Sequence, residues 1–301
     1  MYNTIFPPLI LLFSILFQPL HIDRTDVVET TEVVVFFEKP LRVAAKEIAD
    51  IYGGLKAELE ETLMLRFNFR PTVLLIKSRK TFERMAGSNL IVAFAIPQKR
   101  LIVIDYSSMK THPFTLGTTL KHELCHLLLH HHIGRANLPK WLDEGVSQWV
   151  SDGMAEIIID RKRSLLNEAI LSGHYISINE LTANFPEDKK SILLAYEESK
   201  SLVEFINSEF GRDGILNILK HLKDGYEVDA AIMKGLSIPI GELERRWHYH
   251  LRERTTWITF LAVNLYNILF FIAALITIYG FIRLLIRKRG YRDEDDPFIL
   301  Q

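Results

Sequence analysis

Two histidines and a glutamate near the middle of the chain have the types and spacing of a metal site that could support hydrolysis. Residues 122–126 are HELCH, an H-E-x-x-H pattern. On a helix, residues four apart lie on one face, so the imidazoles of His122 and His126 can reach one ion while Glu123 lies beside it. The pattern predicts a bound metal with a carboxylate placed to act as a base.

A third protein ligand is expected, because a catalytic zinc normally has three and keeps one position open for water. Residues 141–145 are WLDEG and lie on the next predicted helix, with seventeen residues between His126 and Glu144. That separation is enough for a loop and a returning helix. Two imidazoles and one carboxylate suit Zn²⁺ rather than Cu(I) or an iron–sulfur cluster. We therefore predict one zinc ion bound by His122, His126 and Glu144.

These segments resemble the gluzincin metallopeptidases, specifically the bacterial peptidase-MA-like domains. The resemblance extends to residues 195–199, AYEES, which are similar to the A-Y-x-x-S segment of that family, and to a helical tail that ends near Leu251. It implies that the two histidines and Glu144 bind zinc and that Glu123 is the general base. It also makes Tyr196 the candidate donor to the oxyanion of the tetrahedral intermediate.

Several side chains around the predicted site have more than one interpretation. Tyr196 can be a neutral donor to the oxyanion or an aromatic packed on the helix face. Relatives often carry an acid where this chain has Gln148, so Asp143 is an alternative residue to orient a histidine ligand. Cys125 is predicted to be a small buried residue rather than a ligand. The run His130–His132 is predicted to be solvated at a helix end.

Periodicity predicts the elements that must position these residues, and their order indicates an α+β fold. We expect a zincin-like arrangement with a strand-rich N-terminal lobe, a helical C-terminal lobe and the active-site helix between them. The predicted strands are 31–37, 72–76, 90–96 and 101–105, the last two forming a hairpin. The predicted helices are 41–65 with an interruption at two glycines, a turn at 81–85, and 115–133, 140–151, 155–171, 191–208, 213–223, 228–234 and 241–254.

Apolar residues are concentrated at the two ends of the chain. Residues 1–23 contain a nine-residue apolar core, Leu9 to Phe17, which favours a secretory signal peptide. No Lys or Arg precedes that core and no small-x-small cleavage site follows it, so an uncleaved N-terminal anchor is the alternative. Residues 255–282 contain 28 residues without a charge, which is long enough for a transmembrane helix.

Flanking cations predict the orientation of the C-terminal helix, since Lys and Arg are enriched on the cytoplasmic side. Residues 283–301 carry slightly more of them than the proximal flank, so this tail is expected in the cytoplasm. Residues 24–254 then form an extracytoplasmic peptidase-MA-like domain. The predicted protein is a single-pass cell-membrane protein, or a two-pass one if the N-terminal segment is not cleaved.

Composition excludes several other classes of function. With 36 Lys+Arg against 37 Asp+Glu the net charge is −1, which argues against nucleic-acid binding as the main role. One cysteine cannot form an intrachain disulfide. Polar residues flank HELCH, which excludes an intramembrane protease. We predict a membrane-anchored zinc metallopeptidase that acts on peptide or protein substrates and contacts the bilayer through its C-terminal helix. The alternative is an inactive, zinc-stabilised binding module at the membrane surface.

Overall fold

A computed structural model of the chain describes six stretches: residues 25–109, 115–134, 138–152, 164–183, 185–254 and 257–292. The predicted N-terminal segment 1–23 lies outside them, as do residues 293–301 of the predicted tail. The chain divides into two compact units, Met1–Trp247 and His248–Gln301.

The first unit begins with a five-stranded mixed sheet. The sheet has the order β1-β2-β3-β5-β4, with β2, β3 and β5 parallel to one another and an antiparallel strand at each edge. The predicted hairpin is confirmed as β4 and β5, and Pro97 follows the edge strand, where a missing N–H is tolerated. The strands are β1 Thr25–Glu29, β2 Val34–Glu38, β3 Thr72–Ile76, β4 Ala93–Ile96 and β5 Leu101–Asp105.

Two helices lie in the crossovers of this sheet: α1, Arg42–Leu63, joins β2 to β3, and α2, Arg79–Ala86, follows β3. The buried residues of α1 include Ala44, Ile48 and Tyr52, spaced one turn apart along a single face. Gly53 and Gly54 do not interrupt α1, so the predicted break there is wrong. Packing of the buried face outweighs the weak helix propensity of two glycines.

The rest of the first unit is helical, which confirms the α+β class. Helix α3 carries HELCH, begins after the capping hydroxyl of Thr115 and ends at Gly134, whose φ is 80°. It contacts α1, β4 and β5 as well as α4, so side chains on all its faces are buried. The helices that begin in this unit are α3 Leu116–Ile133, α4 Lys140–Ser151, α5 Leu165–Ser172, α6 Ile178–Ala183, α7 Lys189–Lys223, α8 Val228–Leu236 and α9 Ile240–Arg254.

Helix α7 covers two segments that the sequence predicts as separate helices. Its backbone leaves the helical region at Gly211, where φ is 69° and ψ is 177°. A residue with a side chain is strained at a positive φ, so glycine is suited to this position. The two predicted helices are therefore present, joined through a kink.

The second unit contains α10, Trp257–Arg292. Its stretch Asn264–Arg287 is long and apolar enough to cross a membrane, and none of its most apolar window is buried in the protein. At 1.5 Å per residue, 24 residues span about 36 Å, against about 30 Å for a hydrocarbon core. This helix is therefore consistent with the predicted membrane anchor.

Candidate metal centre

The three predicted ligands converge in the core of the first unit. The Nε2 atoms of His122 and His126 on α3 are 3.1 Å apart. The Oε2 atom of Glu144 on α4 lies 3.8 Å from the first of these nitrogens and 3.6 Å from the second. All three side chains are buried, and together they could hold a metal ion.

The geometry of this group fits a zinc ion. Two ligands at about 2.1 Å from a tetrahedral zinc lie about 3.4 Å from each other. The three observed separations, 3.1, 3.6 and 3.8 Å, lie on either side of that value. In addition, Oε2 of Glu144 is buried and has no hydrogen-bond partner among the described residues. A buried carboxylate oxygen is unfavourable in that state unless a cation is bound to it.

The other carboxylate oxygen of Glu144 is held by two side chains. Lys140, one turn earlier on α4, donates from Nζ to Oε1 at 2.5 Å, and the hydroxyl of Tyr196 donates to the same atom at 3.4 Å. These contacts leave Oε2 directed towards the histidine pair. Tyr196 is also packed against Phe185, with the ring centroids 5.2 Å apart. Tyr196 is therefore both packed against an aromatic ring and hydrogen-bonded to the ligand group.

Gly145 lets α4 come close enough to α7 for this contact to form. A Cβ atom at this position would be 2.6 Å from Cγ2 of Val203 and nearer still to the backbone oxygen of Ser199. Any larger residue would push the two helices apart. The glycine of WLDEG and the serine of AYEES are thus joined at one helix contact.

Asp143 holds the ring of His126. The Nδ1 atom of His126 is 2.6 Å from Oδ1 of Asp143, and Nε2 of His130 is 2.9 Å from Oδ2. Burial would raise the pKa of Asp143, but the two imidazoles outweigh burial and hold this pKa well below its usual range. An ionised carboxylate accepts a hydrogen bond from the N–H at Nδ1, and this leaves the Nε2 lone pair of His126 for a metal.

Gln148 and His130 both contact residues of another helix. Gln148 donates from Nε2 to the backbone oxygen of Tyr196 at 3.1 Å, so it joins α4 to α7 while Asp143 contacts the histidine ligand. His130 is not solvated, since its side chain is only 13% exposed, and that prediction is wrong. The reason is that α4 packs against α3 and places the carboxylate of Asp143 against Nε2 of His130. His131 remains exposed as predicted.

Glu123 and Cys125 lie between the two histidines on α3, and both are fully buried. Burial raises the pKa of the Cys125 thiol to about 12. Cys125 lies outside the group of three side chains that could hold a metal ion, which agrees with the prediction that it is a packing residue. Sequence reasoning missed Lys140, although its position four residues before Glu144 is the spacing of a helical ion pair.

The chain has similarity to known proteins at the level of a sequence profile and of a solved structure. Residues 91–253 match the sequence profile of a family described as the Peptidase MA superfamily. The chain is also similar to the crystal structure of a mutant M1 zinc metallopeptidase from Deinococcus radiodurans, with 12% identity and a TM-score of 0.44. The match covers 74% of this chain and 51% of that one, so the chain spans about half the length of that structure. No curated protein matches the chain.

Proposed function

Because this chain belongs to the peptidase MA superfamily, we propose that it is a zinc metallopeptidase that hydrolyses peptide bonds. The observation that carries this proposal is the convergence of His122, His126 and Glu144 in the core of the matched region. When bound there, zinc supplies a Lewis acid that polarises a carbonyl and lowers the pKa of water.

We assign the general base to Glu123, the residue that follows the first ligand on α3. Its carboxylate takes a proton from the attacking water and later gives it to the leaving amine. Its complete burial places this proton transfer in surroundings of low polarity, where electrostatic effects are stronger than in water.

We assign the stabilisation of the oxyanion to Tyr196. Its hydroxyl lies 3.4 Å from Oε1 of Glu144, next to the ligand group, and its ring is held by packing against Phe185. A neutral phenol can donate to a developing negative charge without first losing a proton at neutral pH. Tyr196 would thus exchange its contact with Glu144 for one with the substrate.

We further propose that α10 anchors the enzyme in a membrane. The mature domain would be residues 24–254, placed outside the cytoplasm, with residues 255–282 crossing the bilayer and residues 283–301 in the cytoplasm. Residues 1–23 would be a signal peptide or a second anchor. A reporter fused after Gln301 tests this topology: it should be active in the cytoplasm, and an exported reporter would reverse the assignment.

The substitution Glu123→Gln tests the enzymatic mechanism. In the full-length protein purified in detergent, this variant should retain one zinc by metal analysis and lose at least about 10²-fold of its peptide hydrolysis, because the proton acceptor is gone. Cleavage of a mixed peptide library, followed by mass spectrometry, is the measurement. The exposed Glu47 on α1 is the matched control, and Glu47→Gln should retain activity. A zinc-loaded parent that cleaves no peptide would instead be the inactive binding module.

A further inference from the structure

His130 lies one helical turn beyond His126 on α3, outside the group of three residues that could hold the metal. Its Nε2 is 2.9 Å from Oδ2 of Asp143, and Oδ1 of Asp143 is 2.6 Å from Nδ1 of His126. One carboxylate on α4 therefore bridges two imidazoles on α3. The side chains of Asp143 and His126 are each 7% exposed, so this bridge lies within the core.

The second contact of Asp143 fixes the plane of its carboxylate. The χ2 torsion of an aspartate is broad, so one hydrogen bond alone does not determine where its two oxygens point. Without His130, Oδ2 would be buried without this donor, which is unfavourable. With His130 in place, Oδ1 stays directed at Nδ1 of His126.

A competing partner makes this orientation important. The hydroxyl of Ser147 is 3.3 Å from the same Nδ1 atom of His126. A hydroxyl can donate or accept, and so it permits either tautomer of the imidazole, whereas an ionised carboxylate only accepts. If Asp143 turned away, Ser147 could donate to Nδ1 and move the proton of His126 to Nε2. That tautomer has no lone pair directed at His122 and Glu144, and it cannot bind a metal there.

We propose that His130 is a positioning residue for the metal centre, which donates to Asp143 and thereby keeps His126 in the tautomer and orientation that bind the ion. The inference rests on the proposed function only in requiring that a metal binds at this site. It assigns a role to a histidine that is separate from the ligand set.

Zinc affinity of the full-length protein in detergent, measured by competition with a chelator, tests this role. His130→Leu removes the donor and should weaken zinc binding about tenfold, at the low end of the 10–100-fold cost of losing an outer partner of a ligand. His130→Gln keeps an N–H donor near the position of Nε2 and should restore most of the affinity. His131→Leu, at the exposed neighbouring position, is the matched control and should bind zinc like the parent.

Two further measurements separate positioning from a general loss of structure. If His130 acts through Asp143, the double variant His130→Leu with Asp143→Asn should bind zinc no more weakly than Asp143→Asn alone. With cobalt in place of zinc, His130→Leu and Asp143→Asn should each shift the visible absorption bands of the bound ion, and His131→Leu should not. Parental zinc affinity in His130→Leu, or additive losses in the double variant, would overturn the role.

This outcome is distinguishable from failure of the proposed enzyme. If the parent cleaves no peptide but His130→Leu binds zinc more weakly, the catalytic proposal fails and the positioning role stands. If the parent binds no zinc, the positioning role fails with it. Thermal melting of the chelator-treated variants checks their folding. If His130→Leu melts at a lower temperature than the parent, the zinc affinity of His130→Gln tests the role instead: restored affinity supports it, and lost affinity in a folded His130→Gln overturns it.

Discussion

Asp143 and Glu198 are both buried carboxylates in the helical part of the first unit, but they lie among different neighbours. Asp143 lies between two imidazoles, which hold its pKa well below the usual range. Burial raises the pKa of Glu198 to about 8. Nearby glutamates contribute to this increase, and a hydrogen bond from the N–H of Ile176 opposes it.

The two carboxylates also hold different kinds of partner. Asp143 accepts from a candidate metal ligand. Glu198 is one of three glutamates that accept hydrogen bonds from backbone N–H groups at the start of α6. Three consecutive N–H groups, those of residues 176–178, donate to Glu198, Glu180 and Glu244 at 3.3, 3.0 and 2.9 Å. Burial alone therefore does not identify a catalytic group in this protein. The partner of the carboxylate, a ligand side chain or a backbone amide, separates a site from a structural support.

Tyr196 and Glu198 make the sharpest test of this distinction, since they lie two residues apart on α7 and contact different partners. Tyr196→Phe removes only the hydroxyl and should lower kcat about 10²–10³-fold with little change in KM, as expected for an oxyanion donor. Glu198→Gln is the neighbouring control and should retain kcat. Steady-state kinetics on one cleaved peptide is the measurement. If Tyr196→Phe keeps the parental kcat, Tyr196 is a packing residue only.

Gly145 lies where the helix of Asp143 meets the helix of Glu198, and its substitution should affect both regions. The added methyl group of Gly145→Ala would press on the backbone of Ser199, so we expect a loss of about 2–3 kcal/mol in the free energy of unfolding. Chemical denaturation measures it.

The control for this change is Gly54→Ala in α1, where nothing lies within 4 Å of the added carbon. Alanine is a better helix former than glycine, so the control should raise stability by up to about 1 kcal/mol. Equal stability of Gly145→Ala and the parent would mean that α4 and α7 can separate without loss. The two carboxylate regions would then be independent.

The sequence could predict the part of the site that is determined by residue spacing along a single helix. The spacing of His122 and His126 on one helix face and the polar–apolar pattern around them predicted a helix at 115–133, against Leu116–Ile133 in the structure. Helix α4 has the predicted bounds. These features depend on residues within a few turns of one another, where a helix determines the geometry.

The contacts of α4 with α3 depend on the tertiary fold, and the sequence could predict them only in part. The pair of His130 with Asp143 forms because α4 packs against α3, and no spacing in one helix encodes that contact. Strand β1, Thr25–Glu29, was missed because it is a half-exposed edge strand with a weak apolar pattern. The position of β4 at the other edge likewise follows from pairing between distant segments.

The stability of the protein should depend on pH through these carboxylates, because the pKa of Asp143 is lowered whereas that of Glu198 is raised. The pKa of Glu198 is about 8 in the folded protein, against 4.5 for an ordinary glutamate. Its contribution to stability is complete below pH 4.5 and is lost as pH rises towards 8, by at most about 1.4 kcal/mol per pH unit. A neutral residue of the same shape at this position would not lose stability in that way.

Glu198→Gln should therefore be more stable than the parent at pH 8, by on the order of 1 kcal/mol, because burying an amide N–H₂ offsets part of the gain. The advantage should have largely disappeared by pH 4.5, where the parent carboxyl is protonated in the folded state and half protonated in the unfolded chain. Melting curves from pH 4.5 to 8 measure it, with Glu47→Gln on the exposed face of α1 as the control that should follow the parent throughout. A Gln variant that loses stability with pH as steeply as the parent would show that Glu198 is ionised in the folded state, like Asp143, and would remove the contrast between the two regions.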